Sequence, residues 1–145
     1  MEISFWFIAL FIFMWFIGPL TQLLHLIAPK LHKKLGLMEG NAFEPEFKWY
    51  LLEEKAVAIA DMTYLVTGLL FVVFAFLENK IALIFGLYTC VCYIYFASIY
   101  IPRTVLLTRH NLSPVPTKQL RAYLFYVTLF LAFGLFGVFY LWALV

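Results

Sequence analysis

Four long apolar runs alternate with short polar connections along this chain: Ile3 to Leu24, Val57 to Leu77, Ile81 to Ile101, and Ala122 to Val145. Each meets the ~20 residues needed to cross a hydrocarbon core ~30 Å thick. In lipid, backbone N–H and C=O groups must be satisfied within the segment, so each run is expected to be a helix. The pattern does not suit a transmembrane barrel. Barrel strands alternate apolar and polar residues over ~10 positions, and these runs are apolar all round.

The predicted fold class is an all-α integral membrane protein with four transmembrane helices in an antiparallel bundle. One domain spans residues 1–145, with helices near 3–27, 51–77, 81–101 and 118–145. Residues 28–50 form a loop and interfacial segment, and 102–117 a second loop. Gly18-Pro19 sits inside the first helix. Proline removes a donor and clashes with the preceding turn, so a kink is expected there. The first run is too long for a cleaved signal and lacks a basic flank, so it is expected to remain as a helix.

Leu24, Ile27, Leu31 and Leu35 then recur at spacings of three and four, while Lys30, Lys33 and Lys34 fall on other faces. This predicts a short amphipathic extension along the membrane surface, ended by Gly36 or Gly40. "NAFEPEFKWY" reads as a loop, with Pro45 forcing an extended residue before it. Trp49 and Tyr50 suit one interfacial belt, and Trp6 and Trp142 the other. Thr117 is the expected N-cap of the last helix. Gly134 and Gly137 predict a close helix approach.

Composition strengthens this reading. The chain is 66% hydrophobic and 12% charged, against about 45–50% and roughly 25% in soluble domains. No polar segment is long enough to form a soluble enzymatic domain. Charge adds an orientation. Nine of the ten Lys and Arg lie in or beside the connections 28–52 and 102–121, leaving Lys80 alone on the other side. The positive-inside rule makes the richer side cytoplasmic, with both termini on the non-cytoplasmic side. A net charge of +2 and no polybasic tail give no sign of nucleic acid. Cys90 and Cys92 lie about 200° apart on a helix and are expected to act as small hydrophobes.

One residue breaks the apolar pattern. Asp61 lies four positions inside the second span, roughly 6 Å deep at 1.5 Å per residue. A charge at a span centre costs ~2.5–3.5 kcal/mol on insertion scales. Such a residue should face the protein interior and find a partner. Glu54, seven positions earlier, shares its face. The other spans offer Gln22 and His25; Ser98, Tyr100 and Arg103; and Arg121, Tyr123 and Tyr126. All sit at the cytoplasmic end, so one polar cluster around Asp61 is expected there. It is either a structural ion pair with Arg103 or Arg121, or a functional pocket. His32 and His110 are expected in solvent. A metal centre would need His25, Glu54 and Asp61 to converge, and the spacing carries no HxxxH or ExxH signature. No metal is predicted, and the cofactor is unknown.

Three function classes fit. In the first, Gln22, His25, Ser98, Tyr100, Arg103, Arg121 and Tyr126 line a pocket around Asp61. That pocket holds a lipid or lipophilic ligand, or organises an accessory membrane subunit. In the second, Asp61 or Glu54 is the acid or base of an enzyme acting on a lipophilic substrate. In the third, an oligomer moves ions or protons. Expected partners are membrane lipids and either a homo-oligomer or a larger membrane complex.

The four-helix layout, length and outward termini resemble the small membrane glutathione-transferase and eicosanoid-enzyme family. That family carries an Arg- and Asn-containing motif before a glutamate in its second helix. Here the segment reads "EEKAVAIADMTY", with neither residue. The resemblance implies an architecture and carries no activity across.

Overall fold

The computed structural model of the chain describes residues 2–35, 41–42 and 44–145. The described residues form helices and no strands. Four helical stretches are long and apolar enough to cross a membrane: Phe5–Ile27, Pro45–Phe76, Ile81–Arg109 and Thr117–Trp142.

The first stretch is two helices, α1 (Phe5–Ile17) and α2 (Pro19–Ile27), broken at Gly18 where the sequence predicts a kink. Ser4 caps α1 by accepting the Phe7 amide. At the break, the Thr21 and Gln22 amides both turn to the Gly18 carbonyl. The Ile17 carbonyl takes side-chain donors, the Tyr126 hydroxyl at 2.7 Å and the Thr21 hydroxyl at 3.2 Å. A proline kink is tolerated in an apolar surrounding when freed backbone groups find such partners.

A second proline, Pro29, opens α3 (Pro29–Lys34) after a bend at Ala28. This is the expected short extension. Its apolar residues Leu31 and Leu35, with Ile27 just before it, are exposed. Gly36 and Gly40, the expected terminators, lie outside the described residues.

Glu44 is extended, as its position before Pro45 requires. Pro45–Phe47 then forms a 3₁₀ turn that leads into α4 (Lys48–Phe76), which starts three residues earlier than expected. Trp49 is exposed, whereas Tyr50 is buried rather than facing an interface.

The largest departure is α5 (Ile81–Arg109). It continues through Pro102 for two turns past the expected end at Ile101. Proline costs one ladder bond, but Arg103 just beyond it is tied across to Glu53 and Glu54 of α4, which holds the helical register. Asn111 accepts a left-handed backbone, φ 56°, after the end of α5, a conformation asparagine tolerates. Helix α6 (Thr117–Trp142) follows. Thr117 is its first residue rather than its cap; the extended Pro116 precedes it.

At the terminus-bearing end the core is aromatic. Phe11 packs on Phe71 with ring centres 4.1 Å apart, and Phe7 on Tyr140 at 4.4 Å. The Tyr140 hydroxyl accepts the Ser4 amide, bringing the start of α1 to the end of α6. Helices α5 and α6 form the most extensive contact. There Gly134 and Gly137 lie against Cys90, and a Cβ at either position would collide with its carbonyl or sulfur. Small residues let helix backbones approach where lipid supplies no hydrophobic drive between helices. On α4, Gly68 makes room for Trp15, whose indole donates to the Leu65 carbonyl at 2.9 Å.

Candidate functional site

The polar groups gather at the opposite end of the helices and divide into three sets. The first is an ionic clamp between α4 and α5. Arg103 meets Glu53 Oε2 at 2.6 Å and Glu54 Oε1 at 3.1 Å. The Tyr100 hydroxyl donates to the same Glu54 oxygen at 3.0 Å. The guanidinium also lies over the Tyr50 and Tyr100 rings, 4.9 and 5.1 Å from their centres. Helical spacing explains the assembly. Tyr100 and Arg103 are three apart, and Tyr50 and Glu54 four apart, so each pair shares a face. Glu54 is 5% exposed. Its burial is sustained by a charged partner and a hydroxyl donor, as a buried carboxylate requires.

The second set surrounds Asp61, which lies seven residues farther along α4, roughly 10 Å at 1.5 Å per residue. It is 6% exposed. Arg103 is engaged by Glu53 and Glu54, and Arg121 is exposed. Among the described residues neither forms an ion pair with Asp61, so the ion-pair alternative is not the one adopted. The Tyr64 hydroxyl, one turn on, instead acts electrostatically on the carboxyl. The Asp61 Oδ2 is buried without a hydrogen-bond partner among the described residues.

Tyr64 lines a small cleft with Gly18, Gln22, Tyr93, Phe96, Tyr126 and Phe130. These residues come from the α1–α2 break, α2, α4, α5 and α6. The cleft is partly open and holds about one water-sized occupant. The Tyr93 hydroxyl is buried and has no hydrogen-bond partner among the described residues. The lining carries no Lys or Arg. The cleft can therefore pair with a neutral or cationic polar group and offers an anion no counter-charge.

The third set is a pair of histidines. His25 on α2 and His32 on α3 have ring centres 5.2 Å apart. His32 is buried, contrary to the expectation that it lies in solvent, because the bend at Ala28 folds α3 back toward α2. Burial, and then the neighbouring His25, hold the His32 imidazole below the ordinary histidine range. His110 is exposed, as expected.

Of the residues singled out from sequence, Glu54, Tyr100 and Arg103 come together in the clamp. Gln22 and Tyr126 come together at the cleft, with Asp61 one turn from it. His25 joins His32. Ser98 and Arg121 are exposed and join none of these sets. No three of His, Cys, Asp or Glu among the described residues converge as a metal-ligand group, so His25, Glu54 and Asp61 form no such centre.

Tyr64 and Tyr93 are not among the residues that the sequence singles out. Spacing can find both: Tyr64 is three from Asp61, and Tyr93 is seven from Tyr100. Glu53 and Tyr50 escape as clamp members because an interfacial position explains them equally well.

Against known proteins, the chain matches no family model, no curated protein and no solved structure. The resemblance to the small membrane glutathione transferases therefore rests on layout alone.

Proposed function

We propose that this chain is an integral membrane protein whose four spans form an antiparallel bundle, with both termini on the non-cytoplasmic side. Its aromatic cleft beside Asp61 binds the hydroxyl or amine end of a lipophilic ligand. The observation that carries this reading is the Tyr93 hydroxyl, buried at the cleft and unpartnered. A buried polar group left unpaired costs ~1–3 kcal/mol. A ligand that pairs with it relieves that cost. Asp61, whose Oδ2 is likewise buried and unpaired, favours a donor such as a hydroxyl or an ammonium group. The surrounding rings of Tyr64, Phe96, Tyr126 and Phe130 suit an ammonium through their faces. The cleft admits only the polar tip, and the apolar body lies along the lipid-facing helices. Membrane lipids are thus the first partners to consider.

Glu54 is already held by Tyr100 and Arg103, so its role here is structural. Native mass spectrometry of the full chain, extracted gently from membranes, tests the reading. Wild type should retain a bound amphiphile that Asp61→Asn and Tyr93→Phe lose. Equal spectra for all three proteins would reject it.

A further inference from the structure

We propose that His25 and His32 form a two-nitrogen site for Zn²⁺, separate from the aromatic cleft and independent of the reading above. On one continuous helix, residues seven apart lie roughly 10 Å apart along the axis. Here the two rings stand 5.2 Å apart, inclined at 60°. The chain achieves this with a bend: Ala28, φ −143° and ψ 61°, ends α2, and Pro29 starts α3 in a new direction.

The distance has a chemical meaning. With Zn–N bonds of ~2.0–2.1 Å and a tetrahedral angle, two imidazole centres sit roughly 5 Å apart. Both side chains are more than nine-tenths buried, at 4% and 5% exposure. Three of their four ring nitrogens, His25 Nδ1 and Nε2 and His32 Nδ1, are buried with no hydrogen-bond partner among the described residues. Contact between the rings satisfies none of these nitrogens, and a buried polar atom left unpaired carries its full desolvation cost. The pair is therefore poorly explained as packing alone. A cation that accepts one nitrogen from each ring removes the largest part of that cost.

No third His, Cys, Asp or Glu among the described residues completes the set. The remaining positions belong to water or an external ligand, as in open zinc sites rather than closed structural ones. Lys55 acts electrostatically on His25 from α4. Its charge opposes the cation and sets the affinity below that of a site with carboxylate ligands.

The test uses the purified full chain in detergent. Zn²⁺ is titrated by calorimetry, and Co²⁺ by visible absorption. One equivalent of each should bind, and Co²⁺ should show the intense bands of a four-coordinate site. His25→Ala and His32→Ala should each weaken binding by at least roughly tenfold, the loss that removal of even an outer-shell partner brings. His110→Ala should leave it unchanged. Because either alanine variant could misfold, ¹⁵N-imidazole spectra of wild type provide a second readout. Zn²⁺ should shift the resonances of two of the three histidines. No binding to wild type, shifts confined to His110, or folded His25→Ala and His32→Ala variants that bind as wild type does would each overturn the proposal.

Discussion

The clamp and the cleft lie on the same faces of α4 and α5, and they differ in how their polar atoms are employed. Glu54 and Asp61 are seven residues apart on α4, and Tyr100 and Tyr93 seven apart on α5. At the upper level, Glu54 bonds both Tyr100 and Arg103. At the lower level, Asp61 Oδ2 and the Tyr93 hydroxyl are buried without hydrogen-bond partners. The same residue types thus serve opposite ends. A carboxylate beside a phenol stabilises a fold when a guanidinium closes the set. Without one, Asp61 Oδ2 and the Tyr93 hydroxyl stay buried and unpaired among the described residues. Buried polar groups in native proteins are nearly always paired, so exceptions point toward function.

This contrast makes mutations at the two levels behave differently. The largest effect should come from Arg103→Ala. It leaves Glu54 buried without its cationic partner, a change that costs ~3–5 kcal/mol in buried pairs. The lower part of that range is expected because the Arg103 side chain retains 15% exposure. Equilibrium unfolding in detergent measures it, and a loss under ~1 kcal/mol would break the distinction between the levels.

Tyr126→Phe should come next. Its hydroxyl bonds the Ile17 carbonyl at the proline break, so removal should cost ~0.5–1.5 kcal/mol. Proteolysis or hydrogen exchange at the α1–α2 junction should report the loosening. A destabilisation spread evenly over the chain would assign Tyr126 a different role.

The smallest effect concerns pH. His32 takes up its proton less readily when buried beside His25 than when free in solution. A free histidine titrates near pH ~6.5. As pH falls below that value, the undocked form binds more protons than the docked form, so docking of α3 weakens. Above it, docking is independent of this group. Exchange protection in α3, followed from about pH 8 to about pH 5 across the histidine range, should fall with acid in wild type and fall less in His32→Gln, where only the buried His25 remains to take up a proton.

Much of this architecture is legible in the sequence. Length and apolarity alone locate the four helical stretches that are long and apolar enough to cross a membrane. Gly18-Pro19 marks the break, and the spacing of Leu31 and Leu35 marks α3. Gly134 and Gly137 announce close packing because a missing side chain has a direct geometric consequence.

Choices among equals are harder to read. Arg103 and Arg121 are both candidates for Asp61, and spacing does not say that Glu53 and Glu54 claim the first. That outcome depends on how α4 and α5 align, a tertiary property. Helix α5 runs through Pro102 for a related reason: local propensity argues for a stop, and the cross-helix ion pair overrides it. The burial of His32 follows from a bend at Ala28, a residue with no turn signature of its own. Whole-helix placement is therefore written in the chain, and the pairing of polar side chains across helices is not.

The most direct test of the central claim is the unfolding free energy of Tyr93→Phe, measured on the full chain stripped of bound lipid. The Tyr93 hydroxyl has no hydrogen-bond partner among the described residues, so its removal should leave stability unchanged or raise it. A loss of ~1 kcal/mol or more, the value of an ordinary intramolecular hydrogen bond, would contradict the account. The cleft would then belong to the fold in the same way as the clamp.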